Sequence, residues 1–119
     1  MKLALLSDIH ANRHALEACL AHARDHGAAR FALLGDLVGY GAEPEAVMER
    51  VMAQAAEGAL VIKGNHDELA VSPPRQAITV GESTAAWTHG QLSPAHREFL
   101  DALPLVAQDN TVLLVHASV

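Results

Sequence analysis

Rings are scarce in this chain: 3% of its 119 residues are aromatic, although half are apolar. The core must therefore be built from Ala, Leu and Val, which suits helices packed on a sheet. Cysteine is scarcer still. Cys19 has no second cysteine with which to form an internal disulfide, and its place on an apolar helical face predicts a buried thiol. Positive charge is also in short supply, with 8 Lys and Arg against 14 Asp and Glu and a formal net charge of −6. That balance lacks the electrostatic footprint of a nucleic-acid binder or of a protein docking on an acidic membrane, so neither polymer nor bilayer is expected as a partner. No apolar run approaches membrane-spanning length, and the short strand after Met1-Lys2 is too brief for a secretory segment. The reducing cytoplasm is the expected compartment. Absent too are a glycine-rich phosphate loop with lysine, a Gly-x-Ser-x-Gly elbow and a Cys-x-x-Cys pair.

What the chain does have is a series of apolar strands that stop abruptly at polar residues. Leu3 to Leu6 ends in Ser7-Asp8-Ile9-His10; Phe31 to Leu34 ends in Gly35-Asp36; Ala59 to Ile62 ends in Lys63-Gly64-Asn65-His66-Asp67. On an extended backbone residues i and i+2 point the same way, so Asp8 and His10 are expected to project together, an arrangement that suits two ligands of one metal ion as well as a plain polar loop after a strand. Between the strands lie two helical patterns. The first starts at an Asn12 N-cap, repeats Ala15, Leu16, Cys19, Leu20 and Ala23, and stops at Gly27. The second runs from about Glu45 to Ala56 after Pro44 at N1, and stops at Gly58.

Strand, helix, strand, helix, strand with short connections makes two βαβ units, hence a parallel sheet with right-handed crossovers. Ligands of such sheets bind beyond the carboxyl ends of the strands. Asp8, Asp36 and Asn65 follow one another at intervals of 28 and 29 residues, so all three are expected at one edge. Glycines at 35 and 64 let the backbone turn sharply there.

Downstream, Ser72-Pro73-Pro74 breaks the pattern and residues 78 to 92 carry a weak helical period, with Trp87 expected in the core. Ser93-Pro94 opens another helix that ends before Pro104. Leu105-Val106, a turn at Asp109-Asn110, and Thr111 to Val115 predict a strand pair terminating in His116. His14, His22, His26 and His89 read as surface or structural histidines. Oxygen and nitrogen ligands without thiolate favour Mn, Fe or Zn.

The ordered set Asp8-x-His10, Gly35-Asp36, Gly64-Asn65-His66-Asp67 and His116 resembles the first four motifs of the calcineurin-like metallophosphoesterases. Ser-Asp-Ile-His-Ala-Asn followed by Gly-Asp-Leu-Val-Gly-Tyr-Gly is most similar to the small bacterial YfcE-like phosphodiesterase branch. The resemblance implies an α/β fold, the N-terminal half of an α/β/β/α sandwich with a mostly parallel sheet. It also implies two divalent metal ions (Mn, Fe or Zn), with Asp8 and His10 on one, Asn65 and His116 on the other, and Asp36 bridging. His66 would be the general acid, and Asn12 a residue able to reach a phosphoryl oxygen. Family protein phosphatases carry an acid and an arginine where this chain has Gly39 and Tyr40, which points away from phosphoproteins and towards a small phosphodiester or phosphomonoester.

The same resemblance implies that residues 1–119 form a single, truncated domain, because the family completes its site with a Gly-His-x-His motif that this sequence does not contain. The expected function is metal-dependent phosphoester hydrolysis. The alternatives are a weakly active or inactive module that binds phosphorylated ligands, or one that covers its open sheet with a second copy or a complementing chain.

Overall fold

The computed structural model describes residues 1–117. Three parallel strands, β1 (Lys2–Leu6), β2 (Ala28–Leu33) and β3 (Leu60–Val61), lie side by side in that order. Helix α1 (Arg13–Asp25) connects the first two and α2 (Pro44–Ala56) the second two, so both βαβ units form as expected. The Asn12 side chain caps α1 by accepting from the Ala15 amide at 3.0 Å. Leu16 and Leu20 of α1, Leu33 of β2, and Val47, Met48 and Val51 of α2 then share one core.

Beyond β3 the chain forms three helices, α3 (Asn65–Val71), α4 (Val80–Gln91) and α5 (Pro94–Ala102). The Thr79 hydroxyl and Glu82 carboxylate form a reciprocal capping box that starts α4, and Ser93 accepts from the His96 amide to start α5. A hairpin of β4 (Val106–Asp109) and β5 (Val112–Val115) follows as a separate antiparallel sheet. Arg30 of β2 ties it to the main sheet through a two-pronged ion pair with Asp109.

The expected strand pair ends in His116, on the second sheet, so the parallel sheet supplies three of the four polar ends. Three expectations are corrected. Residues 65 to 71 are helical, so Asn65 opens α3 instead of sitting in a loop directly after a strand. Cys19 is exposed: β1 is an edge strand, and the groove between it and α1, lined by Leu5, Leu6 and Cys19, opens to solvent. Trp87 is 47% exposed, because α4 buries Gly81, Ala85 and Thr88. That spacing places the small residues inward and turns residue 87 outward.

Apolar side chains remain uncovered on Leu5 (56% exposed), Leu105, Val106, Val112 and Leu113. The strands lack polar alternation, as strands covered on both faces do, but the helices cover only part of that surface. No helix among the described residues is long and apolar enough to cross a membrane.

Candidate metal centre

The polar residues do not converge in the way an extended backbone would bring them together. Asp8, His10, Ala11, Asp36 and Tyr40 all adopt left-handed conformations, with φ between 47° and 59°. Each costs a non-glycine residue roughly 1–2 kcal/mol, so five within two loops must be held there by their surroundings. The holding groups are visible. Asp8 N donates to Gly35 O at 3.1 Å, His10 N to Asp36 O at 2.9 Å and Ala11 N to Leu37 O at 2.8 Å. The first loop is thus laced to the second, amide by amide, past the end of the β1–β2 ladder.

The loop after β3 is fixed by a residue that the sequence reading passed over. Asp67 is fully buried. Its Oδ1 accepts from Leu37 N at 2.9 Å and Val38 N at 3.2 Å, and its Oδ2 from Gly64 N at 2.8 Å. Burial pushes its carboxyl up to about 6, against the pull of those three amides and with the neighbouring Asp36 carboxylate adding to the rise. The signal available in the sequence was a carboxylate at N3 of a helix following glycine, a place from which a side chain reaches back to the N-cap amide.

Around this frame the candidate ligands gather. One ligand atom each from Asp8, Asp36 and His116 lies within 4.8 Å of the other two. His10 Nε2 stands 3.5 Å from Asp8 Oδ1 and 3.6 Å from Asp36 Oδ2, while His116 Nε2 stands 3.4 Å from Asp36 Oδ2. Asn65 Oδ1 is 3.1 Å from His116 Nε2. Asp36 is 3% exposed, and its other oxygen accepts from the His66 amide at 2.9 Å. The Ser7 hydroxyl donates to Asp8 Oδ2 at 2.6 Å and holds that carboxyl below the usual range, helped by the His116 and His10 imidazoles. Ser7 was not singled out from sequence, since a serine beside an aspartate carries no distinguishing spacing.

Both imidazoles are anchored through their rear nitrogens. His10 Nδ1 pairs with Val38 O at 3.2 Å and His116 Nδ1 with Leu34 O at 2.7 Å. A carbonyl only accepts, so each Nδ1 carries a proton, and in its neutral form each ring turns an Nε2 lone pair inward. Those lone pairs then face carboxylate and carboxamide oxygens that are also acceptors. Such a set repels itself unless positive charge lies among it, and a backbone carbonyl behind a histidine is the usual support of a metal-binding imidazole. The donors present therefore suit a hard or borderline divalent cation.

The remaining expectations fall near this centre. His66 lies beside it, its ring centroid 5.2 Å from that of His10. The Asn12 side-chain oxygen is used as the α1 cap, and the residue lines a cleft of about 530 Å³ with Asp8, His10, Arg13, Tyr40 and Glu43. His14 and His22 are exposed, and His89 is structural, its Nδ1 paired with Ala70 O at 2.7 Å.

Comparison with known proteins gives a consistent result. The sequence profile described as calcineurin-like phosphoesterase matches residues 1–119. Uncharacterized protein MJ0912 of Methanocaldococcus jannaschii is 33% identical over 98% of this chain and 49% of its own length. The crystal structure of a metallophosphoesterase from Sphaerobacter thermophilus superposes with a TM-score of 0.73 at 34% identity, covering 92% of this chain and 44% of that one. Hypothetical protein PH1004 from Pyrococcus horikoshii OT3 gives 0.76 at 25% identity, over 90% and 49%. The chain spans about half the length of these relatives.

Proposed function

Because the chain belongs to the calcineurin-like phosphoesterase family, we propose that it carries the cation-holding half of a hydrolase for a small phosphodiester or phosphomonoester, of the YfcE-like phosphodiesterase type. The observation that carries the reading is the meeting of Asp8, Asp36 and His116 within 4.8 Å, with His10 and Asn65 beside them and both imidazoles aimed inward by backbone carbonyls. Asp8 and His10 would hold one divalent ion and Asn65 and His116 a second, with Asp36 serving both. Mn, Fe and Zn all suit this oxygen and nitrogen set.

Bound there, divalent cations supply Lewis acidity and charge neutralisation for in-line displacement at phosphorus. The protein's own part is to present Asp36 Oδ2 between the two imidazoles, to keep Asp8 ionised through Ser7, and to hold a proton on His66 for the departing oxygen. Two carboxylates alone would repel a phosphate, so the acidic centre accepts such a substrate only with its cations. Asn12, whose oxygen is committed to the cap, offers its amide nitrogen to a phosphoryl oxygen. The expected compartment remains the cytoplasm.

The test is manganese-dependent hydrolysis of an aryl phosphodiester by the purified chain, together with its metal content. Close to two ions per chain and turnover that falls by at least about a hundredfold in Asp36→Asn, with folding retained, support the reading. Metal bound without turnover would leave a module that only binds phosphorylated ligands. The uncovered Leu5, Leu105, Val106, Val112 and Leu113 favour, alongside either outcome, an association in which a second copy or a complementing chain covers the sheet.

A further inference from the structure

His66 differs from the other two imidazoles at the centre. Its Nδ1 is buried and, among the described residues, has no hydrogen-bond partner. The reason is Gly39, which lies directly behind it: a Cβ there would stand 3.0 Å from His66 Cβ and 3.2 Å from Nδ1. At that position there is only backbone, and no side chain anchors the ring from it.

Something else confines it. The Tyr40 ring lies 4.7 Å from the His66 ring, centroid to centroid, and 5.2 Å from that of His10, which itself meets His66 edge-on at 5.2 Å. From the other side α4 approaches closely at Gly81, where a Cβ would fall 3.1 Å from both His66 Cε1 and the Tyr40 hydroxyl oxygen. Tyr40 is 52% exposed yet sits in a left-handed conformation, with φ 59°. Its amide donates to Thr84 Oγ1 of α4 at 3.3 Å. A half-exposed aromatic held in a strained backbone against two histidines is spending conformational freedom on its position.

We propose that Tyr40 is a positioning residue: by ring packing, backed by α4 at Gly81, it orients the His66 imidazole in place of the missing hydrogen bond to Nδ1. This rests on the hydrolase reading in which His66 supplies the proton to the leaving group. A proton on Nδ1 would be a buried donor without an acceptor, so the neutral ring carries its proton on Nε2 and offers it to the substrate oxygen as a hydrogen bond. Full transfer needs a second proton on the ring, since giving up its only one would leave an imidazolate. Packing against the tilted Tyr40 ring and the edge-on His10 ring keeps that nitrogen aimed.

The experiment compares the wild type with Tyr40→Phe, Tyr40→Ala and Tyr40→Leu. One readout is kcat and KM for two phosphodiesters, one leaving as nitrophenolate and one as an unactivated alcohol. The other is the long-range ¹H–¹⁵N spectrum of His66 in the metal-free chain. A nitrophenolate departs without a proton, so a misplaced His66 penalises the alcohol substrate selectively. Tyr40→Ala is expected to lower kcat at least about tenfold for the alcohol substrate and less than about threefold for the nitrophenyl one, with KM little changed. It should also turn a single Nε2–H spectrum into a mixture of tautomers. Tyr40→Phe, which keeps the ring, should behave as wild type in the spectrum and stay within about threefold in kcat.

Equal losses on both substrates, an unchanged His66 spectrum in Tyr40→Ala, or a Phe variant as impaired as the Ala variant would each overturn the proposal. If Tyr40→Ala does not fold, Tyr40→Leu decides: it keeps apolar bulk but removes the ring, and it must give the same mixture of His66 tautomers, an unchanged spectrum overturning the idea. If the wild type with metal bound hydrolyses neither ester, the hydrolase reading fails, and the His66 spectra alone then decide whether Tyr40 holds the ring.

Discussion

Gly35 and Gly64 meet backbone to backbone, so that a Cβ on Gly35 would stand 2.6 Å from the Gly64 amide nitrogen. A Cβ on Gly64 would in turn collide with the amide and carboxylate of Asp36. Gly35 also needs its left-handed φ of 92°, whereas Gly64 is required for space alone. Gly64→Ala is therefore expected to displace Asp36, destabilising the fold by about 1–3 kcal/mol and weakening manganese binding at least about tenfold. Denaturant unfolding and metal titration of the variant check both effects.

Asp67 ties three backbone amides from two loops to one carboxylate. In Asp67→Asn one oxygen survives, but an NH₂ group is turned towards an N–H donor. The variant should lose about 1–3 kcal/mol of stability for each amide left unpaired. Urea unfolding measures this directly, and a variant as stable as the wild type would show that the amides find other partners.

Cation binding should appear as stability. A ligand that binds only the folded state, present at a hundredfold excess over its Kd, adds about 2.7 kcal/mol per site. Manganese should raise the melting temperature and chelator should reverse it, with the rise diminished in His116→Ala and abolished in Asp36→Asn. Identical rises in all three proteins would place the ion elsewhere.

The Arg30–Asp109 pair makes attachment of the β4–β5 hairpin depend on pH. The Arg30 guanidinium holds the Asp109 carboxyl below its ordinary value. Because the folded state lowers this group, its contribution is present above the ordinary carboxylate range, near pH 4, and is lost as pH falls through the depressed value. With intrinsic exchange rates divided out, hairpin amides should be less protected at pH 3 than at pH 6, with the difference removed in Arg30→Met. Hydrogen exchange resolved by residue tests this.

The uncovered apolar side chains make a further expectation concrete. Light scattering should find the chain associated at micromolar concentration, and Leu5→Lys combined with Leu113→Lys should shift it towards monomer, because contiguous exposed apolar surface drives association. A monomeric wild type would show that this surface tolerates water.

The βαβ order, the two crossover helices and the order of the polar ends were legible because each rests on periodicity or on turn residues within a short window. The convergence of Asp8 and His10 was anticipated for the wrong reason. Alternation along a strand is a local rule, whereas their left-handed backbones are imposed by amide bonds to residues 35 to 37, a long-range contact that local pattern does not encode. Asn65 was placed correctly at the edge, but its helix was missed because Gly64 reads as a loop and the seven-residue α3 is shorter than a clear helical period. Trp87 and Cys19 misled for one reason: hydrophobicity says that a side chain prefers cover, not whether cover exists at an edge strand or on the outer side of α4.

The support of the centre is unusually concentrated. The carbonyl two residues before Asp36 anchors His116, and the one two residues after it anchors His10. Five consecutive residues thus act as a ruler with the shared carboxylate at its midpoint and a histidine referenced to each end. Any shift of that ruler moves the carboxylate and both rings together, so the two sides of the centre cannot be loosened separately by changes within it. Evolution could tune one side against the other only through Asp8 and Asn65, the candidate ligands that these two carbonyls do not measure.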